Sequence, residues 1–336
     1  MGWHAAALVI GARGPSQGEE SNDMSEALLF PGQGAQFVGM GKDWCEAFPV
    51  ARETFAEASR VLGFSLEDAC WNRGDEVHRT DIAQPGILVA SVAVIRVLME
   101  RGLDPRAARM TAGLSLGEYT ALWFGGSLEF ADAVRLVRLR GEAMQRASEL
   151  VKSGMVSLMG ATEEQARSVA AAAAKVGICS VANLNAPGQI IVSGELAALD
   201  HLEAVAKDHG IRRTRRLVVA GGFHSECMRP AAEDLARALA KVSIAAPRIT
   251  FVTNVTAQPE TSPDAIRANL ALQVCAPTLW EASMRWAVGQ GILEYLEPAP
   301  GKVLAGLLSK IDERAKVRSV AAPADLAGPS TAPSSP

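Results

Sequence analysis

The pentapeptide GLSLG at residues 113–117 has the residue types and spacing of a nucleophile for acyl transfer. Residues 108–112 before it predict a short strand, and residues 118–122 after it predict a helix. Ser115 at such a corner takes a strained backbone conformation, which glycines two residues to either side permit. Its hydroxyl then stands clear of the sheet, and the first N–H groups of the helix face the group it attacks. An ordinary Gly/Ser turn is the alternative interpretation.

A serine hydroxyl becomes a good nucleophile only when a base takes its proton. The chain contains five histidines: His4, His78, His201, His209 and His224. His224 differs from the others because it follows an apolar run, residues 217–219, and the glycine pair at 221–222. That position predicts a general base at a crevice between two lobes, with a structural polar residue as the alternative. No acidic residue stands out as its orienting partner, so a Ser-His-Asp triad is not predicted.

An arginine lies on the apolar face of the helix predicted over residues 129–150. The apolar stripe of this helix has helical spacing and comprises Ala133, Leu136, Val137, Met144 and Ala147. Arg140 falls on this stripe, one turn after Leu136. An inward guanidinium is costly unless an acceptor meets it, and its planar fork suits a carboxylate. An internal salt bridge, or an arginine that snorkels at the lobe interface, explains Arg140 nearly as well as a substrate that brings the carboxylate.

The elements around these residues alternate between strand and helix, which predicts an α/β fold. We predict an α/β-hydrolase-like large lobe with a parallel-type sheet, formed by residues 25–152 and 220–318. Residues 153–219 follow the order β-α-β-β-α-β and predict an inserted, ferredoxin-like α+β small lobe. We predict a disordered extension over residues 1–24 and a disordered tail over residues 319–336, which is rich in Ala, Pro and Ser.

Composition excludes several classes of protein. The chain has 336 residues, of which 49% are hydrophobic and 21% charged, and its net charge is -4. These values are typical of a globular enzyme and disfavour a general nucleic-acid binder. Five scattered cysteines without a C-x-x-C spacing argue against a disulfide framework and a zinc site. No apolar run is predicted to span a membrane, and we expect a cytoplasmic monomer.

Several motifs in the same order give a more specific indication than the pentapeptide alone. They are FPGQGAQ at 30–36, GLSLGEY at 113–119, LRGEAMQ at 139–145, AGGFH at 220–224, TNV at 253–255 and PGKVL at 300–304. With these motifs, residues 27–311 resemble the malonyl-CoA:acyl-carrier-protein transacylases of type II fatty acid synthesis. The resemblance implies transfer of malonyl from malonyl-CoA to acyl carrier protein. It implies no metal and no redox cofactor.

The resemblance also implies roles for individual residues. Ser115 would be the nucleophile, His224 the general base and acid, and Arg140 the group that holds the free carboxylate of malonate. Gln273 would orient His224 through its main-chain carbonyl, which explains the missing acidic partner. The backbone N–H groups of Gln33 and Leu116 would form the oxyanion hole.

Two positions near the nucleophile and the base bear on specificity and activity. Phe223, before the histidine, resembles the malonyl-selecting form of its motif rather than the methylmalonyl form. Leu114 departs from the family pattern, which usually has histidine there; since that neighbour is not the base, we expect activity to survive. The flexible pair Gly221-Gly222 is also unusual for the family.

Carrier proteins of this family are acidic, so a basic docking patch near the cleft is expected. The candidates are Arg212, Arg213, Arg215 and Arg216, or Lys310 and Arg314. A serine esterase or thioesterase remains an alternative function, as does an acyltransferase that serves polyketide assembly. An inactive acyl-binding scaffold is a further alternative, suggested by Leu114 and the double glycine.

Overall fold

The computed structural model describes residues 26–327, so the predicted extension over 1–24 lies outside the described residues. Within this range the strands are β1 Ala27–Phe30, β2 Met110–Gly113, β3 Ser153–Met159, β4 Cys179–Ala186, β5 Gln189–Glu195, β6 Arg213–Arg216, β7 Thr250–Val252, β8 Glu294–Pro298 and β9 Lys316–Val320. The α-helices are α1 Lys42–Ala47, α2 Pro49–Leu62, α3 Leu66–Trp71, α4 Thr80–Glu100, α5 Gly117–Phe124, α6 Phe130–Leu150, α7 Glu163–Ala173, α8 Leu196–Val205, α9 Arg229–Leu239, α10 Pro263–Gln273, α11 Trp280–Gly289 and α12 Val303–Ile311.

A five-stranded parallel sheet with the order β7-β2-β1-β8-β9 forms the centre of the molecule. Strand β1 is apolar along its whole length and fully buried, which is typical of a strand covered on both faces of a parallel sheet. Strand β2 pairs with it and ends at Gly113, so the carboxyl end of the sheet delivers the chain to the pentapeptide. The predicted α/β fold with a parallel sheet is confirmed.

A separate antiparallel sheet has the order β4-β5-β3-β6. Its elements follow one another as β3, α7, β4, β5, α8 and β6, between α6 and α9 of the larger part. Apolar residues of the sheet pack against α7 and α8 in a core of their own that includes Val156, Val192, Val169 and Leu199. The chain therefore leaves the parallel sheet after α6 and returns to it after β6.

Helix α4 is a long, apolar and almost wholly buried helix. An 18-residue window within it has a mean hydropathy of 1.9, so by length and composition alone this helix resembles a membrane span. However, 89% of that apolar window is buried inside the protein. Contacts with α2 and α6 supply this burial, as in the central helix of a packed core.

Residues 319–327 of the predicted disordered tail have defined structure. The chain continues in β9 as far as Val320, beside β8, and then forms a 3₁₀ turn over Pro323–Ala327. The carboxylate of Asp325 accepts the N–H groups of Ala321 and Ala322, at 2.8 and 2.9 Å, and so fixes this turn. The remaining residues of the predicted tail, 328–336, lie outside the described range.

Candidate active site

Ser115 lies on a tight corner between β2 and α5 with a φ of 52°, a left-handed conformation that non-glycine residues rarely adopt. The two glycines of the pentapeptide allow the strand, the corner and the helix to approach closely. A Cβ on Gly113 would lie 1.9 Å from the carbonyl carbon of Gly117, and one on Gly117 would lie 2.1 Å from the oxygen of Phe30. The local sequence thus raises the hydroxyl at the end of the sheet.

The histidine predicted as a base contacts this hydroxyl. The distance between His224 Nε2 and Ser115 Oγ is 2.9 Å, and His224 also has a positive φ, 59°. On the other side of the ring, Nδ1 lies 2.8 Å from the main-chain oxygen of Gln273. Because a carbonyl oxygen only accepts, Nδ1 carries the proton and Nε2 is left free to accept one from serine.

The environment of His224 keeps the imidazole neutral. The ring is buried, with 5% of the residue exposed. Burial, and then the nearby positive charge of Arg140, lower the pKa of His224 to about 4, although the carbonyl of Gln273 acts in the opposite direction. Near neutral pH the ring is therefore ready to accept a proton.

Arg140 extends from α6 into the same site and is 1% exposed. Its Nη2 donates to Ser115 Oγ and to Gln273 Oε1, both at 2.9 Å, and its Nη1 donates to Gln84 Oε1 at 2.8 Å. All three acceptors are neutral, and among residues 26–327 no ion pair joins Arg140 to a carboxylate. The internal salt bridge considered for Arg140 is thus absent from the described part of the chain. Burial lowers the pKa of the guanidinium.

The two backbone N–H groups predicted as oxyanion donors lie close to the nucleophile in the fold. Leu116 follows Ser115 and precedes the first turn of α5, while Gln33 lies in the loop after β1 and lines the same cleft as Ser115. Neither N–H group donates to an acceptor within residues 26–327. A free donor at the start of α5 and a second one in the loop after β1 are donors of the kind that stabilise a developing oxyanion.

These groups open into a cleft of about 840 Å³. Ser115, Arg140 and His224 lie on its wall together with Leu114 and Phe223, so the cleft can take an extended substrate. Residues of the loop after β1, of β4 and of the segment after β6 complete the lining, so both sheets contribute. No group of three or more metal-ligating side chains occurs in the described part of the chain.

Comparison with known proteins gives the family. A family model for the acyl transferase domain matches residues 27–302. The malonyl CoA-acyl carrier protein transacylase of Escherichia coli K12 is 39% identical over 303 residues, which are 90% of this chain and 97% of the relative. The chain belongs to the malonyl-CoA:acyl carrier protein transacylase family.

Solved structures agree with this family. The transacylase from Xanthomonas oryzae pv. oryzae has a TM-score of 0.85 and 40% identity, over 90% of this chain and 96% of that one. A malonyl-transacylase in complex with a type II polyketide synthase acyl-carrier protein has a TM-score of 0.86 and 38% identity, over 90% of this chain and 98% of that chain. The family resemblance seen in the sequence motifs is confirmed.

Three side chains that complete the site had no predicted role: Gln84, Glu118 and Asn254. Asn254 Oδ1 accepts the N–H of Ser115 at 2.6 Å, and its Nδ2 donates to the oxygen of Gly113 at 2.7 Å, so it braces both sides of the corner. Gln84 and Glu118 are fully buried in helices that are otherwise mostly apolar. A polar residue within an apolar run was the signal that could have indicated them.

The glycine pair before His224, which the sequence analysis described as flexible, is closely packed in the structure. Neither glycine has a positive φ. A Cβ on Gly221 would lie 2.3 Å from Ser148 Oγ, and one on Gly222 would lie 3.1 Å from the Cβ of Ser153. The pair therefore permits close packing against α6 and β3, which holds His224 in position.

Proposed function

We propose that this chain transfers a malonyl group from malonyl-CoA to the phosphopantetheine thiol of acyl carrier protein, as a step of fatty acid biosynthesis. The observation that carries the proposal is the buried Arg140 guanidinium, 2.9 Å from Ser115 Oγ and bonded only to neutral acceptors. A malonyl thioester bound at this serine places its free carboxylate beside that cation. Hydrogen bonds between the fork of an arginine and a carboxylate are among the strongest in proteins.

In the proposed reaction, Ser115 Oγ attacks the thioester carbonyl while His224 Nε2 takes the hydroxyl proton. The N–H groups of Gln33 and Leu116 stabilise the oxyanion. The carbon–sulfur bond then breaks, and the imidazolium returns its proton to the sulfur of coenzyme A. In the second half, His224 accepts the proton of the phosphopantetheine thiol, and the thiolate attacks the ester carbonyl of malonyl-serine. The ester carbon–oxygen bond then breaks, and the imidazolium returns the proton to Ser115 Oγ.

Positioning accounts for the transfer to a thiol in preference to water. Arg140 would hold the malonyl chain by its carboxylate, and Phe223 would limit the space beside the middle carbon of malonate. The cleft would then receive the phosphopantetheine arm beside the malonyl-serine, which places the thiol rather than water at the ester carbonyl. An esterase with the same corner has no need of an inward cation, so Arg140 favours the transferase.

Intact-mass analysis after incubation with malonyl-CoA tests the proposal. We expect one malonyl adduct, which maps to Ser115, persists in the absence of acceptor and disappears when holo acyl carrier protein is added. Ser115→Ala should give no adduct. Rapid release of free malonate without an adduct would establish that the chain is an esterase. The absence of any reaction would establish that it is an inactive acyl-binding scaffold.

We also propose that the two sheets define two lobes, with bounds at residues 153 and 219, that meet at the cleft. The order of elements and strands in the smaller one supports a ferredoxin-like fold, and the serine corner at the end of a parallel sheet supports a hydrolase-like larger lobe.

We further propose a cytoplasmic monomer. Sedimentation at micromolar concentration, where a dimer would be evident, tests the oligomeric state.

Basic residues after α8 support a docking site for the acidic carrier protein beside the cleft. Arg212, Arg213 and Arg215 are exposed and have no ion pair within the described residues, and Arg215 lies on the cleft wall. In contrast, Arg216 pairs with Asp200 at 2.6 Å, and Arg314 pairs with Asp312 at 2.8 Å.

Kinetic measurements can show whether the carrier protein docks at the exposed arginines near the cleft or at the surface near Arg314. We expect Arg215→Ala to raise the KM for the carrier protein several-fold at low salt, with little change in the first, acylation step. Arg314→Ala is the matched control and should leave this KM unchanged. The reverse pattern would move the docking site to the surface near Arg314.

A further inference from the structure

We propose that Glu118 is a positioning residue of this site, which fixes the side-chain amide of Gln273 and thereby the direction in which Arg140 points. The inference rests on the proposed function and deepens it, since it concerns selection of the malonyl group. Glu118 lies in the first turn of α5 and is fully buried. Its backbone N–H donates to the main-chain oxygen of Ser115 at 3.2 Å, but its carboxylate bonds to neither Ser115 Oγ nor the cleft wall, so the effect of the carboxylate on the reaction is indirect.

Gln273 connects three parts of the site. Its side-chain Nε2 donates to Glu118 Oε2 and to the main-chain oxygen of Ser115, the latter at 2.9 Å. Its Oε1 accepts Nη2 of Arg140, and its main-chain oxygen accepts Nδ1 of His224. Nucleophile, base and cation therefore all depend on the placement of this one residue.

The carboxylate is one of two acceptors that fix which way the Gln273 amide faces, and the main-chain oxygen of Ser115 is the other. The oxygen and nitrogen of an amide have nearly the same shape, so their orientation is decided by the neighbouring donors and acceptors. Ionised Glu118 can only accept, which directs the NH₂ group toward it and the amide oxygen toward Arg140. A donor at position 118 would therefore oppose the Gln273 NH₂ group, which the Ser115 oxygen still attracts, and an amide that turned over to avoid it would face the guanidinium donor against donor.

The second oxygen of Glu118 is held from another direction. Oε1 accepts the backbone N–H of Asn254 at 2.5 Å, and the side chain of Asn254 braces the corner at Ser115. Burial raises the pKa of Glu118 to about 7, against the opposing effect of these donors and the charge of Arg140. Both oxygens accept N–H groups, and the ionised form, which prevails above about pH 7, can only accept, so this form serves as a fixed acceptor.

The decisive variant is Glu118→Gln. Its amide oxygen must accept the Asn254 N–H, so its NH₂ group faces the NH₂ group of Gln273. We expect the ratio of kcat/KM for malonyl-CoA to that for acetyl-CoA to fall by about tenfold or more, the effect of one misdirected buried hydrogen bond. The KM for malonyl-CoA should rise, because the fork of Arg140 is no longer aligned with its carboxylate.

Two further variants separate positioning from charge and from folding. Glu118→Asp keeps the charge but is one methylene too short to reach both donors, so we expect the same fall in the malonyl-to-acetyl ratio of kcat/KM. If the role of Glu118 were purely electrostatic, the aspartate variant would keep the ratio of the natural chain. Glu297→Gln is the matched control, since Glu297 is also fully buried and accepts two N–H groups, of Leu304 and Ala305, at 2.8 and 3.0 Å. It should lower thermal stability without a change in the ratio.

The outcomes distinguish this inference from the proposed function. If the natural chain does not transfer malonyl, the proposed function fails whatever Glu118 does. If it does, an unchanged ratio in folded Glu118→Gln overturns the positioning role, and so does a ratio retained by Glu118→Asp. Failure of both variants to fold, while Glu297→Gln folds, would assign Glu118 to stability alone and would also overturn the inference.

Discussion

Replacement of Arg140 by alanine tests the recognition of the substrate carboxylate most directly. In the structure, Nη1 and Nη2 of Arg140 donate to neutral oxygens, while its buried Nε has no partner within residues 26–327. A malonyl carboxylate can bind in a bidentate manner at Nε and one Nη group, and acetyl-CoA has no such group. The substitution should therefore affect the two substrates differently.

The size of the effect follows from the bonds that are lost. A hydrogen bond to a charged group contributes about 1.5–3 kcal/mol, and the fork offers two in exchange for the weaker bonds already made. A net loss of about 3 kcal/mol corresponds to about a hundredfold fall in the malonyl-to-acetyl ratio of kcat/KM, since 1.36 kcal/mol is about tenfold. Arg140→Lys keeps the charge without the fork and should fall between the natural chain and Arg140→Ala.

The assay measures acylation by malonyl-CoA and by acetyl-CoA on the same preparation, so that a partly unfolded sample does not change the ratio. Arg138→Ala is the control. Arg138 lies in the same helix but does not line the cleft, and its guanidinium is bonded to buried Asp81 and to Glu142, so stability changes and the ratio does not. Equal losses for both substrates in Arg140→Ala would show that Arg140 is only structural and would remove the argument for malonyl.

Three other perturbations follow from the same site. Because protonated His224 cannot accept a proton and its pKa is lowered to about 4, kcat/KM for acylation by acetyl-CoA, which has no carboxylate to align with Arg140, should rise with pH through about 4 and stay level through 6.5. A midpoint near 6.5, where an ordinary histidine titrates, would contradict the burial argument. Phe223→Ala, which opens space in the cleft, should increase methylmalonyl transfer relative to malonyl, measured by competition between the two thioesters; no gain would show that Phe223 does not set the acyl size. Gly117→Ala, whose Cβ would lie 2.1 Å from the Phe30 oxygen, should abolish the malonyl adduct and lower Tm. Gly306→Ala is the control, because its Cβ would have nothing within 4 Å, and it should stabilise α12 by about 0.5–1 kcal/mol. Equal Tm shifts in the two variants would refute the close approach at Gly117.

Local patterns in the sequence were sufficient to predict a site residue where its type is unusual among the residues around it. Ser115 could be predicted because the two glycines around it are needed for one kind of corner. Arg140 could be predicted because a charged residue on an apolar helical stripe has to meet an acceptor inside the protein. Both features are visible within about twenty residues of chain.

Features that depend on distant chain segments were not predictable in this way. The carbonyl that orients His224 belongs to the backbone of Gln273, and every residue has such a carbonyl, so composition gives no signal for it. A glutamate in the first turn of a helix ordinarily lies at the surface and interacts with the helix dipole, which concealed the burial of Glu118. Strand β9 was missed because Lys316 and Arg318 interrupt its apolar pattern at the edge of the sheet.

The neutral partner of His224 has a consequence for the lifetime of the protonated ring. In a triad, a carboxylate neutralises the imidazolium; here an amide oxygen supplies only a dipole, and a guanidinium stands nearby. In the proposed reaction the protonated ring is therefore a state of high energy, and it gives its proton quickly to the departing sulfur. Since that dipole belongs to the main chain, no single side-chain replacement deletes it, and the tautomer of the base is protected against point mutation.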